Sequence, residues 1–177
     1  MIEVKPALLP CLLLSIYASL LLPSCRDSGH AQAAAQEKTF ADYFKIGIGD
    51  HTPRIQLALH QLEQQQGLMQ RRDLGPDDGM IFIYAKPQRM NFWMHNTPTP
   101  LDIGFFTEEG ALAEVYALLP FDETSVHSRS ERLKYAVEMP SGWYARNGIK
   151  PGAKLDLAAL AGALRERGQQ PETYGLR

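Results

Sequence analysis

Hydrophobic and polar residues alternate along several short stretches of the chain, and this pattern predicts a fold built mainly of β-strands. Residues 54–59 place apolar side chains at every second position, as expected for a strand with one buried face. Residues 80–84 form a continuous apolar run, which indicates a central strand. Other strand-like segments lie at residues 90–94, 101–106, 111–119, 135–139 and 154–157. Short loops between them favour antiparallel neighbours.

Three segments have helical character. Residues 61–70 are rich in helix formers, and residues 158–167 have high helix propensity. A short helix is predicted at residues 141–147, with Ser141 capping its start and Gly148 ending it. The polar segment 122–132 is predicted to form a long loop. We therefore predict a mainly β (α+β) fold, an antiparallel β-sandwich or open barrel with two short helices and a C-terminal helix.

The N-terminal segment differs from the rest of the chain. Residues 7–22 are nearly all apolar, Lys5 precedes them, and Leu22-Pro23-Ser24-Cys25 resembles the lipobox of bacterial lipoproteins. We predict a lipoprotein-type signal peptide at 1–24, a flexible tether at 25–42 and a single domain at 43–177. The alternative is conventional cleavage after Ala33 or Ala35.

This organisation predicts export to the periplasm or cell envelope. A lipid on Cys25 would anchor the protein to a membrane, whereas Cys11 would be removed with the signal. No internal disulfide could then form, so the core alone would have to hold the domain together.

Composition and charge restrict the class of function. The chain has 177 residues, of which 45% are hydrophobic and 21% charged, as in a globular protein with one domain. The net charge is −2 without a basic block, so no nucleic-acid partner is expected. The chain contains no phosphate-binding loop, His-Glu-x-x-His pair or Gly-x-Ser-x-Gly motif. We expect no cofactor and no metal, and binding is favoured over catalysis.

The first candidate site is the corner at residues 92–102, where an apolar strand runs into polar side chains and two prolines. In one interpretation its residues line a small polar cleft, with an indole as the apolar platform. The proposed ligand-binding residues are Trp93, His95, Asn96, Thr97 and Asp102. In the competing interpretation Asp102 only clasps its own loop, accepting hydrogen bonds from Asn96, Thr97 or nearby backbone groups.

The second candidate is Glu138, whose side chain should point away from those of Val137 and Met139 in an alternating strand. If Glu138 and Asp102 converge, the two carboxyl groups could act as general acid and base on a glycosidic bond. The simpler alternative is an ion pair between Glu138 and Arg72 or Arg146.

Methionine and histidine supply weaker candidates. Met94 beside His95 in an exported protein suggests a Cu(I) site, but methionine as core filler is favoured because no Met/His cluster occurs. His127, between Ser125 and Ser128, lacks a group that would orient it as a base, so we expect a surface residue.

Several motifs together resemble the DUF192 family, a bacterial and archaeal domain of unknown function. They are GLMQRRDL, GMIFIY, FWMHNTPTPLDIGFF, GALAEV and YAVEMPSGWYARNGIKPGAKLDL, and they span about residues 55–157. The resemblance implies a compact, mostly β domain behind an export signal, without an established activity. This chain departs from the family pattern at His95, where a long polar residue such as Lys is usual, and at Ala153, where Asp is usual.

We therefore expect an envelope lipoprotein domain that binds a small polar ligand, a glycan or a partner protein without catalysis. The alternatives are a carboxylate-dependent hydrolase of envelope carbohydrate, using Asp102 and Glu138, and a purely structural interaction module.

Overall fold

The computed structural model describes residues 37–177, so the predicted signal peptide, Cys25 and most of the tether lie outside the described residues. The strands are β1 (Phe44–Lys45), β2 (Arg54–Ala58), β3 (Asp78–Gln88), β4 (Asn91–Phe92), β5 (Leu101–Thr107), β6 (Leu112–Leu118), β7 (Val126–His127) and β8 (Leu133–Pro140). The helices are α1 (Gln61–Gln66), α2 (Trp143–Arg146) and α3 (Leu157–Glu166), followed by a 3-10 turn at Pro171–Tyr174. No helix within residues 37–177 combines the length and apolar character needed to cross a membrane.

Six strands form one sheet in the order β1-β2-β3-β8-β5-β6, and β4 pairs with β7 in a separate ribbon. This confirms the mainly β, α+β class. One pair departs from the expected antiparallel arrangement: β2 and β3 run parallel, with Leu57 opposite Ile81. The reason is α1, which carries the chain back across the sheet so that both strands run in the same direction.

Alternation along the strands gives the sheet two buried faces. Ile81, Val137 and Met139 belong to the face that packs against α2 and α3, which we call the helical face. Met80 and Phe82 belong to the opposite face, which packs against the segment after α1 and the β4–β7 ribbon. We call this the cleft face. Each strand of the sheet centre therefore contributes side chains to two separate cores.

Both ends of the described region pack onto the sheet. Helix α3 buries Leu160 and Leu164, and Arg167 beyond it donates to the carbonyl of Leu57 at 2.9 Å. At the other end, the Lys38 backbone N–H donates to the carbonyl of Glu166. The ordered contacts thus begin before residue 43, where the sequence places the start of the domain.

The helices predicted at 61–70 and 141–147 are shorter than expected, and so are two predicted strands. The strand at 90–94 is limited to the two residues of β4, and its partner β7 lies inside the predicted loop 122–132. The last predicted strand, 154–157, is reduced to single bridges at Lys154 and Leu155. Leu155 is also buried, so its apolar character reflects core packing in addition to this bridge.

Candidate ligand-binding cleft

A cleft of about 230 Å³ lies on the cleft face, between α1 and the strands below it. Helix α1 and the segment after it form one wall, and β4 with Trp93 forms the other. The floor comes from β3 and β8, through Phe82, Tyr84 and Glu138. The lining is mostly uncharged and combines amide groups with aromatic rings. The cleft is open to the surface, and Trp93 at its edge is 50% exposed.

Glu138 is the most unusual residue of the cleft. Its strand neighbours across the sheet are Met80 and Ile103, both fully buried and apolar. Glu138 is only 5% exposed, and its carboxyl group forms no hydrogen bond or ion pair with any group in residues 37–177. The predicted ion pair with Arg72 or Arg146 is therefore not present. The carboxyl group keeps a small exposure to the cleft, but a polar group with so little exposure and no protein partner is costly, so it requires an explanation.

The surroundings of Glu138 change its acid–base properties. Burial raises the pKa of Glu138 from 4.5 to about 8, because the charged form loses hydration without gaining a partner. The pKa of the neighbouring Tyr84 phenol is also raised. Burial, with a smaller contribution from the charge of Glu138, raises the pKa of Tyr84 to about 12.

The wall on the α1 side is fixed by backbone conformation and by one amide. Gly67 ends α1 with φ 46° and ψ −133°, a conformation that side chains strongly disfavour, and it lies over the Phe82 ring. Gln64 donates from Nε2 to the carbonyl oxygen of Ile83 at 3.1 Å. These contacts hold the helix end above the strands and keep the cleft open beneath it.

The predicted corner is bonded to this wall. The Gln70 N–H donates to the carbonyl of Asn96 at 2.8 Å, and the Thr99 hydroxyl donates to the carbonyl of Arg71 at 2.6 Å. Asn96 has a φ of 51°, a left-handed conformation that asparagine tolerates better than most residues. The corner and the segment after α1 are thus one connected unit.

Within the corner, His95 connects three side chains. Its Nδ1 lies 2.6 Å from Glu123 Oε1, and its Nε2 lies 2.9 Å from Asn96 Nδ2. Because a carboxylate only accepts, Nδ1 donates to Glu123 and Nε2 accepts from the Asn96 amide. The imidazole ring stacks on Trp93 with a centroid distance of 4.8 Å. His95 and Asn96 therefore bond to neighbours and brace the indole instead of lining the cleft.

Two of the five residues proposed from the sequence line the cleft, namely Trp93 and Thr97. Thr97 is 5% exposed, and its hydroxyl donates to the carbonyl of His95 at 3.0 Å. This bond orients Thr97 at the cleft wall. The predicted segment therefore forms part of the cleft wall, although its polar groups act mainly on one another.

Asp102 requires a correction. It lies on the helical face, where its Oδ2 accepts from the Gly142 N–H at 2.8 Å, and not from Asn96 or Thr97. It thus holds the start of α2, a role that the sequence assigned to Ser141. Burial raises the pKa of Asp102, although the Gly142 hydrogen bond and the charge of Arg146 act in the opposite direction.

The carboxyl groups of Asp102 and Glu138 do not converge. In the pairing of β5 with β8, Asp102 is opposite Met139 and Ile103 is opposite Glu138. Adjacent positions along a strand face opposite sides of the sheet, so the sheet itself lies between the two carboxyl groups. The geometry needed for a general acid and base on one glycosidic bond is absent.

Sequence reasoning missed the glutamine-rich wall and Tyr84. Gln64 and Gln65 were interpreted as helix formers, and Tyr84 as the end of a buried strand. An available signal was the aromatic residue at the polar end of β3, where a phenol commonly reaches solvent. Met94 is 2% exposed and belongs to the core of the cleft face, and residues 37–177 contain no group of three His, Cys, Asp or Glu side chains suited to a metal ion.

The comparison with protein families confirms the resemblance seen in the motifs. The model of the DUF192 family, described as an uncharacterized ACR, matches residues 44–157. The match begins earlier than the motifs indicated and includes β1. Glu138, Trp93 and the whole wall of the cleft lie within it. No curated protein matches this chain.

Two solved structures from bacteria are similar to this chain. A candidate transcription regulator of Sinorhizobium meliloti 1021 is 29% identical, with a TM-score of 0.63 over 67% of this chain and 95% of that one. A protein of unknown function from Novosphingobium aromaticivorans DSM 12444 is 36% identical, with a TM-score of 0.60 over 64% of this chain and 84% of that one.

Proposed function

This chain belongs to the DUF192 family, and from that premise we propose that its domain is a binding module of the cell envelope that holds a small polar ligand in the cleft beneath α1. The ligand lies against Trp93 at the edge and reaches Glu138 at the floor. No reaction is part of this proposal, because among residues 37–177 the cleft presents one carboxyl group and no second one beside it.

The observation that carries the proposal is the solitary carboxyl group of Glu138. Burying a carboxyl group without a partner costs stability, and an apolar residue would pack better between Met80 and Ile103. The group lines a cleft that a small molecule can enter. A ligand that hydrogen-bonds to Glu138 would recover this cost, which favours a binding role over a purely structural one.

The surrounding side chains support a polar organic ligand. Gln61 and Gln65 offer amide donors and acceptors along one wall, and Trp93 offers a flat apolar surface on the other. Small-molecule sites commonly combine an apolar platform with a few polar groups that fix the ligand's orientation. A glycan end and a side chain of a partner protein both fit this description.

The test is a ligand screen by NMR on the isotopically labelled full chain, using small sugars, amines and amino acids. We expect at least one class to shift the amide signals of residues 64–69 and 91–97. Trp93→Ala and Glu138→Gln should each weaken that binding at least tenfold. Leu119→Ala provides a matched control, since Leu119 is a similarly exposed apolar residue outside the cleft. Binding that survives both cleft variants, or a screen without shifts in the cleft, would refute the proposal.

The envelope location rests on the N-terminal sequence. The apolar run and the motif ending at Cys25 support lipid attachment to that cysteine. Expression of the full chain in a bacterial host should give a protein that fractionates with membranes and incorporates labelled fatty acid. Cys25→Ala should release it to the soluble fraction and abolish labelling. Membrane retention of the unlabelled variant would instead favour an uncleaved anchor.

A structural module is the second candidate, and the hydrogen bonds of the corner favour it. His95, Asn96 and Thr97 all bond to neighbours, as in a loop clasp. On this view His95→Ala lowers the thermal midpoint and no ligand is found. The regulator name of the Sinorhizobium relative is not extended to this chain, because a net charge of −2 without a basic block gives no support for nucleic-acid binding.

A further inference from the structure

The cleft contains an acidic group and no basic group among the residues of 37–177 that line it. Among its lining residues within 37–177, Glu138 is the only one whose side chain can ionise below pH 9, and no Lys or Arg lines the cleft. The remaining polar groups are amides and hydroxyls such as Gln64, Asn91 and Thr97. A ligand that enters this cleft therefore meets a negative charge, or a carboxylic acid ready to become one, and no positive charge at all.

The walls are aromatic as well as polar. Phe82, Tyr84, Phe92 and Trp93 all line the cleft, and the rings of Phe82 and Phe92 pack edge to face at 4.9 Å. Aromatic faces attract cations, most strongly where water is excluded, and rings combined with one acidic group are typical of sites for ammonium ligands. Phe82 and Phe92 are buried, whereas Trp93 is half exposed and is therefore the ring most available to a ligand.

We propose that the occupant of the cleft is a small organic cation, an alkylated or primary ammonium, that pairs with Glu138 while its hydrocarbon part lies against Trp93 and Tyr84. The inference rests on the proposed function and names the class of its ligand. The cation supplies the partner that Glu138 lacks, and the amides of α1 bind whatever polar group the rest of the ligand carries.

Other ligand classes fit the cleft less well. An anion would face the carboxyl group without compensation from any basic residue. A divalent metal ion needs several oxygen ligands in a closed shell, and Glu138 would be the only charged one. A neutral sugar can hydrogen-bond to the glutamines, but it leaves the charge of Glu138 unpaired. The neutral sugar is the main rival, and the experiment separates the two.

A cationic ligand should couple its binding to one proton. In the empty cleft burial raises the pKa of Glu138 to about 8, and a bound cation would lower it again. His95 stacks on Trp93 but does not line the cleft, so few groups other than Glu138 could contribute directly to this coupling. From β3 the facing titratable group is Tyr84, whose pKa of about 12 lies above the range used. Neighbouring β5 presents Ile103, and α1 presents only amides to the cleft.

The experiment measures choline binding to the full chain by calorimetry and NMR between pH 6 and pH 9. Choline is chosen because its charge does not titrate, and 3,3-dimethylbutan-1-ol is its uncharged analogue of nearly equal shape. If only ionised Glu138 binds the cation, the affinity should rise roughly 90-fold across this range, given a pKa of about 8. The uncharged analogue should bind far more weakly and without this pH dependence.

Two variants locate the effect. Glu138→Gln keeps the shape and removes the charge, so both the choline affinity and its pH dependence should be lost while the thermal midpoint is kept or raised. Asp102→Asn alters a second buried carboxyl group on the opposite face of the sheet. This variant should change neither the choline affinity nor its pH dependence. If Asp102→Asn abolished the pH dependence and Glu138→Gln did not, the assignment to Glu138 would be wrong.

The outcomes also separate this inference from the proposed function. Equal affinity for choline and its uncharged analogue overturns the cationic class. Binding of N-acetylglucosamine without binding of choline also overturns the cationic class. If Trp93→Ala then removes the sugar binding, the cleft is still a ligand site and the proposed function stands. Absence of cleft shifts with every amine, sugar and amino acid overturns both.

Discussion

Asp102 and Glu138 lie on directly paired strands, yet their carboxyl groups are on opposite faces of the sheet. Each of the two groups is more than nine-tenths buried, and burial raises the pKa of both. They differ in what they bind. Asp102 accepts a hydrogen bond from Gly142, whereas Glu138 lines the cleft without a partner in residues 37–177. One carboxyl group therefore stabilises the fold, and the other is available to a ligand.

Asp102→Ala should destabilise the domain without affecting the cleft. The substitution removes the acceptor of the Gly142 N–H at the start of α2 and leaves a small cavity on the helical face. We expect a loss of about 1–3 kcal/mol in the free energy of unfolding, measured with urea at pH 7. Asp102→Asn retains an acceptor oxygen and should lose less.

Ligand binding provides the control for this variant. Any ligand found for the cleft should bind Asp102→Ala with unchanged affinity, because the sheet separates the two sites. Weaker binding at a temperature where the variant is fully folded would show that Asp102 contributes to the cleft after all.

Glu138 should make the stability of the domain fall with rising pH. The folded protein holds this proton more tightly than the unfolded chain does, since burial raises the pKa from 4.5 to about 8. The contribution of Glu138 to folding stability is therefore fully present below about pH 4.5, and it is lost progressively as the pH rises towards 8. The full pKa shift of Glu138 corresponds to at most about 5 kcal/mol in the free energy of unfolding. Water that enters next to the carboxyl group will reduce this value.

The measurement is urea unfolding of the native protein and of Glu138→Gln at pH 5 and pH 9. Glu138→Gln cannot ionise, so the native protein should lose about 2–4 kcal/mol more than the variant between these two pH values. Other titrating groups are common to both proteins and cancel in the difference. Parallel pH dependences would mean that water or a rearranged side chain already solvates Glu138.

Much of the fold could be predicted from alternation alone. The patterns at 54–59, 80–84 and 101–106 coincide with β2, β3 and β5, and the pointing direction predicted for Glu138 is confirmed by its position opposite Ile103. The parallel pairing of β2 with β3 was missed, although its signal was present: a helix between two strands is the order typical of a parallel pair. Strand pairing elsewhere depends on contacts between distant segments.

The site was predicted in part, for a related reason. The corner segment can be recognised from the local sequence, because the Trp93 indole is followed directly by polar residues including His95 and Asn96. The partner of Asp102 lies 40 residues away at Gly142, and no local pattern reports that distance. The role of Glu138 depends on which apolar residues flank it in the sheet and on the absence of a base nearby. Neither is visible in a strand of alternating residues.

Gly67→Ala should both destabilise the domain and deform the cleft. Gly67 has φ 46° and ψ −133°, and an added Cβ would lie 3.4 Å from Cζ of Phe82. We expect a loss of about 1–3 kcal/mol and altered amide signals for residues lining the cleft. Gly162→Ala is the matched control, because Gly162 lies inside α3 with open space around an added Cβ. That variant should gain about 0.5–1 kcal/mol. Equal stability of the two variants would contradict the strain assigned to Gly67.

Arg167→Ala should show that α3 is an integral part of the domain, although it lies beyond the family match. Arg167 Nη2 lies 2.6 Å from Glu63 Oε1, and its Nη1 donates to the carbonyl of Leu57. The other oxygen of Glu63 accepts from the backbone N–H groups of Leu59 and His60, which immediately precede α1. Removing Arg167 leaves Glu63 partly buried without its cation.

The expected loss for Arg167→Ala is about 2–4 kcal/mol in the free energy of unfolding. Hydrogen exchange should also become faster in α1 and in the segment that forms the cleft wall, because Glu63 loses one of the contacts that fix it. Arg165→Ala, an exposed arginine on the same helix, should change stability by less than about 0.5 kcal/mol. If the Arg167 variant is as stable as the Arg165 variant, or if exchange rises only in α3, the C-terminal helix does not support the cleft.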